Sequence, residues 1–230
     1  MLDTAQAEVL WLSLKVATTA VAASLPLALA VAWFLARSRW RGKMVVDAVV
    51  HLPLVLPPVV TGYLLLVALG RNSPVGGWLE HTFGLVFAFR WTGAALAGAI
   101  MGFPLMVRPI RLSLEAIDSR VEDAAATLGA SPIWVWLSVT LPLALPGVIA
   151  GLVLAFARAL GEFGATITFA ANIPGETRTL PLAIYTFIQV PGGERQAGYL
   201  IAISVAVSLA ALIASEVVAR HVKRIQASGR

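Results

Sequence analysis

The chain has 230 residues, 59% of them hydrophobic and 13% charged, where a soluble domain carries roughly 25% charged residues. Because the apolar residues gather into long blocks, this composition excludes one soluble core with a single anchor and predicts several membrane spans. A formal charge of +5 fits the basic loops that orient a membrane protein rather than nucleic-acid binding, and the absence of cysteine excludes disulfides, thiolate nucleophiles and Cys-ligated zinc.

The first residues, MLDTAQAE, are acidic and lack the basic n-region of a signal peptide. The first hydrophobic block is therefore expected to be retained as a span. A hydrocarbon core about 30 Å thick needs about 20 apolar residues of helix. Five blocks approach or exceed that length, at 9–36, 44–69, 91–110, 141–165 and 197–219. The third can start earlier, near Leu85, if Arg90 reaches back to the surface. A shorter stretch, TLPLAIYTFIQV at 179–190, suits a re-entrant or interfacial segment. Pro181 and the turn Pro191-Gly192-Gly193 flank it. The expected fold class is an all-α polytopic membrane protein with about five transmembrane helices.

Pro53, Pro57 and Pro58 in the second block, and Pro104 and Pro109 in the third, are expected to interrupt helix ladders and free carbonyls. The first three are candidates for a hinge or a pathway lining, or are simply the proline that membrane helices tolerate. Gly93, Ala97, Gly98 and Gly102 in the third block predict close helix packing.

Placing the N-terminus outside puts eleven cations on the inner side: Arg37, Arg39, Arg41, Lys43, Arg108, Arg111, Arg120, Arg220, Lys223, Arg224 and Arg230. Only four, Arg71, Arg90, Arg178 and Arg195, then face outward. This bias predicts N-terminus out and C-terminus in, which requires an odd number of spans. On that topology the largest cytoplasmic loop is 111–140.

Within this loop, Ser119 followed by Glu122 reads as a capping box opening a short helix. Ala124, Ala125 and Ala126 favour the helix and give it a smooth face. Gly129 is a natural left-handed stop, and Ser131-Pro132 restarts the chain as N-cap and N1 of a second helix. Trp134 and Trp136 then approach the membrane boundary, and Leu141-Pro142 opens the next span. A smooth helix on a glycine joint is suited to docking by another protein; a plain surface hairpin is the alternative.

The loop EDAAATLGASPIWVWLSVTLP resembles the EAA loop of ABC-importer permeases, in which Glu-Ala-Ala is followed by Gly and then Leu-Pro. Ala124, Ala125, Gly129, Val139, Leu141 and Pro142 fall on that pattern. Asp123 occupies the usual Glu position, with Glu122 beside it, so either carboxylate is a candidate for the contact. The resemblance implies a coupling helix seated on a cytoplasmic ABC ATPase, formed by Glu122, Asp123, Ala124, Ala125, Gly129, Ser131 and Pro132. It implies one permease domain over 1–230, with its core at about 9–219, in the inner membrane of a bacterial cell.

HLPLVLPPVVTGY at 51–63, FARALGEFGATITF at 156–169 and NIPGETRTLPLAIYTFIQ at 172–189 are similar to the molybdate permeases of bacterial ABC importers. GEFGA and PGET also occur in sulfate permeases, which keeps sulfate or thiosulfate as the alternative substrate, and tungstate accompanies molybdate. The resemblance further implies a permease homodimer, two ATPase copies and a periplasmic molybdate-binding protein. No cofactor is expected on this chain. Its only Gly-Lys pair, Gly42-Lys43, lacks the rest of a P-loop, so ATP and Mg are assigned to the partner.

A fixed site for a dianion needs several convergent cations, which are costly inside a bilayer. Lys15 and Arg158 alone lie well inside blocks. Lys15 is expected to snorkel. Arg158 stands four residues before Glu162, on one helix face, either as a pair that orients the helix or as part of the anion path. Selectivity is then delegated to the binding protein. An intramembrane enzyme is disfavoured, because His51, His81 and His221 are dispersed and no HExxH occurs. A catalytic site and a metal site are accordingly not expected. A secondary transporter, which often has internal repeats and coupling acids at mid-membrane, is the other distant alternative.

Overall fold

A computed structural model describes residues 4–228. Residues 1–3 and the tail cation Arg230 lie outside the described residues, as do the side chains of Arg220, His221, Lys223 and Arg224. The described elements are helical: α1 (Thr4–Arg37), α2 (Lys43–Val55), α3 (Pro58–Leu69), α4 (Pro74–Phe83), α5 (Trp91–Glu115), α6 (Ser119–Thr127), α7 (Pro132–Val135), a π turn (Trp136–Thr140), α8 (Leu141–Leu160), α9 (Gly164–Phe169), α10 (Leu180–Ile188) and α11 (Glu194–Ser228). Among the described residues four helical stretches are long and apolar enough to cross a membrane, or five when the bent pair α2 and α3 is counted as one broken span.

α5 is the centre of the bundle and packs against α1 and α8. Lipid tails are as apolar as leucine, so burial alone does not drive these helices together; close approach does. The contact surfaces are accordingly rich in small residues, with Ala17, Ala20, Ala28 and Ala32 of α1 and Ala94, Ala95 and Ala97 of α5 all buried. A Cβ at Gly151 of α8 would lie 2.7 Å from the Met106 carbonyl of α5. Glycine there lets the two backbones touch.

The second block breaks at Leu56-Pro57, where α2 and α3 meet at 113°. The tandem prolines explain the position, because a proline drives the preceding residue into extended backbone. Leu56 before Pro57 has ψ 139°, and Pro57 before Pro58 has ψ 133°. Pro53 stays inside α2. Pro104 and Pro109, in contrast, do not break α5, which runs unbroken from Trp91 to Glu115. The expected interruption of the third block is corrected: single prolines, with Pro104 fully buried among neighbours, are held in the helix by packing.

The third span begins at Trp91, as the block 91–110 predicts and without the earlier start near Leu85, because α4 ends at left-handed Gly84 and Phe89 has φ 60°. Two other boundaries differ from expectation. The fourth block stops at Leu160 and resumes as α9. The loop 111–140 shrinks to 116–131, since α5 continues to Glu115 with Arg111 Nε donating to Glu115 Oε1 at 2.8 Å. On its other side, α7, the π turn and α8 form one continuous stretch from Pro132 to Leu160. Pro142 has no N–H to donate, and the π turn just before it accommodates that missing bond.

α10 has nine residues, too few to span, in agreement with a re-entrant or interfacial segment. Its start is pinned to α1, since the Leu180 N–H donates to buried Ser13 Oγ at 2.7 Å.

Candidate functional site

The end of the bundle that holds the last turn of α1 also carries α6 and α7. α6 is N-capped by Asp118, whose carboxylate accepts from the Arg120 N–H at 3.0 Å. The expected capping box is thus corrected: Asp118, not Ser119, is the N-cap, because its carboxylate reaches the free amide two residues on. Glu122 is released from capping. Its Oε1 accepts from Arg37 Nη2 at 2.9 Å and from Thr140 Oγ at 2.6 Å. The neighbouring carboxylate, Asp123, is exposed. The two candidates for the family's single acid therefore point to different surroundings, one into the bundle and one out of it.

α6 buries none of its residues. Gly129 ends it with φ +87° and open space around it, a conformation that costs a residue with a Cβ about 1 kcal/mol or more. Ser131 then precedes Pro132 at N1, in extended backbone and without a side-chain cap bond. Leu128, Ile133 and Trp134 are 89%, 65% and 61% exposed, so the elbow presents an apolar surface. Between the elbow and α1 lies an open cleft of about 580 Å³, lined by Trp33, Glu122, Asp123, Ile133 and Trp136 among others.

A second ionic cluster holds the same end of the bundle. Arg111 Nη1 lies 3.1 Å from Asp47 Oδ1, and His51 Nδ1 lies 3.2 Å from the same oxygen. Asp47 and His51 pair across one turn of α2, and Arg111 joins them from α5.

Deeper in the bundle, Arg158 and Glu162 form an ion pair. Glu162 is 2% exposed and its other oxygen accepts from the Ala165 N–H at 2.8 Å, so the carboxylate also caps the restart of the chain at α9. α9 packs on α3 through Gly62, where a Cβ would sit 2.6 Å from the Ala165 carbonyl. The broken helix carrying Pro57 and Pro58 and the GEFGA segment are thereby one packed unit.

At the far end, Lys15 Nζ stands 3.7 Å above the Trp91 ring, a cation–π contact. Lys15, Trp91, Glu8, Glu176 and Arg178 line a recess of about 550 Å³. Its loop is internally tied: Arg178 Nε donates to Asn172 Oδ1 at 2.9 Å, and Thr177 Oγ accepts from the Ile173 N–H at 2.9 Å. Lys15 and Arg158 each have a partner of their own in this arrangement. Among the described residues no group of three or more His, Asp or Glu side chains is placed to hold a metal.

Residues 24–227 match the model of the family described as binding-protein-dependent transport system inner membrane component. The chain belongs to this family. Among its relatives within the family, a Haemophilus influenzae protein named molybdenum transport system permease protein ModB is 57% identical over 213 residues, covering 93% of each chain. The protein of the same name from Escherichia coli K12 is 59% identical over 209 residues, or 91% of each. Of solved structures, the inward-facing MetNI methionine ABC transporter superposes with a TM-score of 0.71 at 16% identity, covering 92% of this chain and 93% of that one. A bacterial ABC transporter for alginate import gives the same TM-score, also at 16% identity, over 97% of this chain and 81% of that one. These structural likenesses establish the permease fold.

Sequence reasoning placed the glycine joint and the second helix start where the structure has them, but missed Arg37 and Thr140 as partners of Glu122. Arg37 is 85 residues from Glu122, and its only local signal was that of a cation at the end of a span.

Proposed function

We propose that this chain is the membrane subunit of an ATP-driven importer that carries molybdate into the cytoplasm by alternating access. The observation that carries the reading is the exposed elbow of α6, Gly129 and α7 at the cationic end of the bundle, in a chain 57% and 59% identical to two proteins named as molybdenum permeases. Tungstate is the accompanying substrate. The elbow faces the cytoplasm, within a single permease domain whose N-terminus is outside and whose C-terminus is inside, in a bacterial inner membrane.

Asp123, Ala124, Ala125, Gly129, Ser131 and Pro132 are seated on a cytoplasmic ABC ATPase. ATP and Mg are held by that partner. Two permease copies and two ATPase copies form the complex, and a periplasmic molybdate-binding protein delivers the anion to the far end. Closure of the ATPase pair draws the two elbows together and opens the permease outward; hydrolysis resets it. Within the membrane, Arg158 is neutralised by Glu162 and Lys15 is held on Trp91. The cations are therefore not converged on one anion, which supports a weak, gated passage.

Reconstitution with the ATPase and the binding protein tests the substrate: ATPase stimulation is expected to be greater with molybdate-loaded than with sulfate-loaded binding protein. Greater stimulation by sulfate overturns the assignment in favour of a sulfate permease. For the seat, Gly129→Asp is expected to abolish co-purification of the ATPase while the permease still inserts. Unchanged co-purification refutes the elbow as its docking site.

A further inference from the structure

We infer that Glu122 is a positioning residue that transmits movement of the elbow to α1 and α8, and that it does not itself contact the ATPase. This rests on the reading that the elbow is seated on that partner. α6 buries no residue of its own, so apolar packing gives it little grip on the bundle. Glu122 supplies the grip. One oxygen, Oε1, accepts from Arg37 Nη2 at 2.9 Å and from Thr140 Oγ at 2.6 Å.

Each partner is the end of a lever. Arg37 is the last residue of α1, a helix of 34 residues, whose opposite end carries Lys15 against Trp91 and Ser13 against Leu180. Thr140 is 2% exposed and closes the π turn; α8 follows it directly and ends near the Arg158–Glu162 pair. Displacing α6 therefore pulls on the first and fourth spans together through a single carboxylate. A π turn is a place where a helix changes its hydrogen-bond register, which gives the α8 arm a point at which to yield.

Burial separates this role from one of simple stabilisation. The Arg37 and Glu122 side chains are 26% and 21% exposed, and a partly solvated ion pair adds little to stability. What it fixes is direction: the charged groups form strong, short bonds at defined angles. Asp123, one residue on and exposed, is left as the acid that meets the partner.

The test uses the complete importer, with ATPase and binding protein, in proteoliposomes. In Glu122→Gln and Arg37→Gln, the ATPase is expected to co-purify within about twofold of wild type, while molybdate carried per ATP hydrolysed falls about tenfold, the scale of one charge-assisted hydrogen bond. Thr140→Val is expected to change in the same direction. The exchanged pair, Arg37→Glu with Glu122→Arg, is expected to recover most of the lost coupling, which a packing defect would not. A wild-type coupling ratio in Glu122→Gln overturns the proposal. So does loss of the ATPase from that variant, which would put Glu122 in the seat, and so does an exchanged pair as uncoupled as the single variants. Failure of the seat itself reads out separately, as an ATPase that stays bound to Gly129→Asp.

Discussion

Arg158 and Glu162 are partners with different access to water, 26% against 2% exposed, so their loss has different consequences. Arg158→Gln leaves a carboxylate buried without its cation. A loss of about 3 kcal/mol is expected, the typical cost of breaking a buried pair, seen as a lower melting temperature in detergent. Glu162→Gln keeps an oxygen for the Ala165 N–H and leaves a cation that can extend to water, so its loss is expected to be the smaller. If Arg158→Gln instead melts like wild type but abolishes uptake, Arg158 belongs to the anion path. Gly129 offers a contrast at the same scale. It is exposed and left-handed, so Gly129→Ala is expected to cost about 1 kcal/mol of local stability and to weaken ATPase association more than bundle stability.

Helices in this molecule are governed by how their backbones approach one another. Gly151 sits against the Met106 carbonyl, and Gly151→Val is expected to force α5 and α8 apart at a cost of about 2 kcal/mol, within the usual range for overpacking. Thermal denaturation of the purified protein measures it; an unchanged melt contradicts the proposed contact. The break between α2 and α3 is different in kind. It is written by Pro57 and Pro58, whereas Pro104 and Pro109 leave α5 intact. Replacing Pro57 alone is expected to keep the break, because Pro58 still holds its predecessor extended. Pro57→Ala with Pro58→Ala permits a continuous helix, and reduced uptake with normal membrane insertion is the expected result for a working hinge.

The natural lack of cysteine makes the orientation of the whole molecule directly measurable. Single cysteines at Gly129 and at Gly192, both in open space, should differ toward a membrane-impermeant thiol reagent. Position 192 is expected to label in intact cells stripped of their outer membrane, and position 129 only after permeabilisation. The reverse pattern would invert the topology. At this scale the exposed side chains also matter: Val49, Leu52, Val55, Val59 and Tyr63 on the broken span and Ile201, Val205 and Leu209 on α11 form outward apolar surfaces of the kind that face lipid.

By itself, the sequence determined the class, the spans and the chemistry of the elbow. Those features rest on local rules: about 20 apolar residues fill a bilayer, and a glycine stops a helix that serine and proline restart. The short α10 and the break at Pro57-Pro58 were legible for the same reason. Other features depended on partners distant in the chain and were decided only by the tertiary structure. Pro104 and Pro109 remain helical because the packed bundle holds them. The loop shrank because Arg111 found Glu115 and Asp47. Glu122 left its expected cap because the bundle brought Arg37 and Thr140 to it. A carboxylate at that position has one local use and one long-range use, and a charged donor supplied by another helix makes the stronger bond.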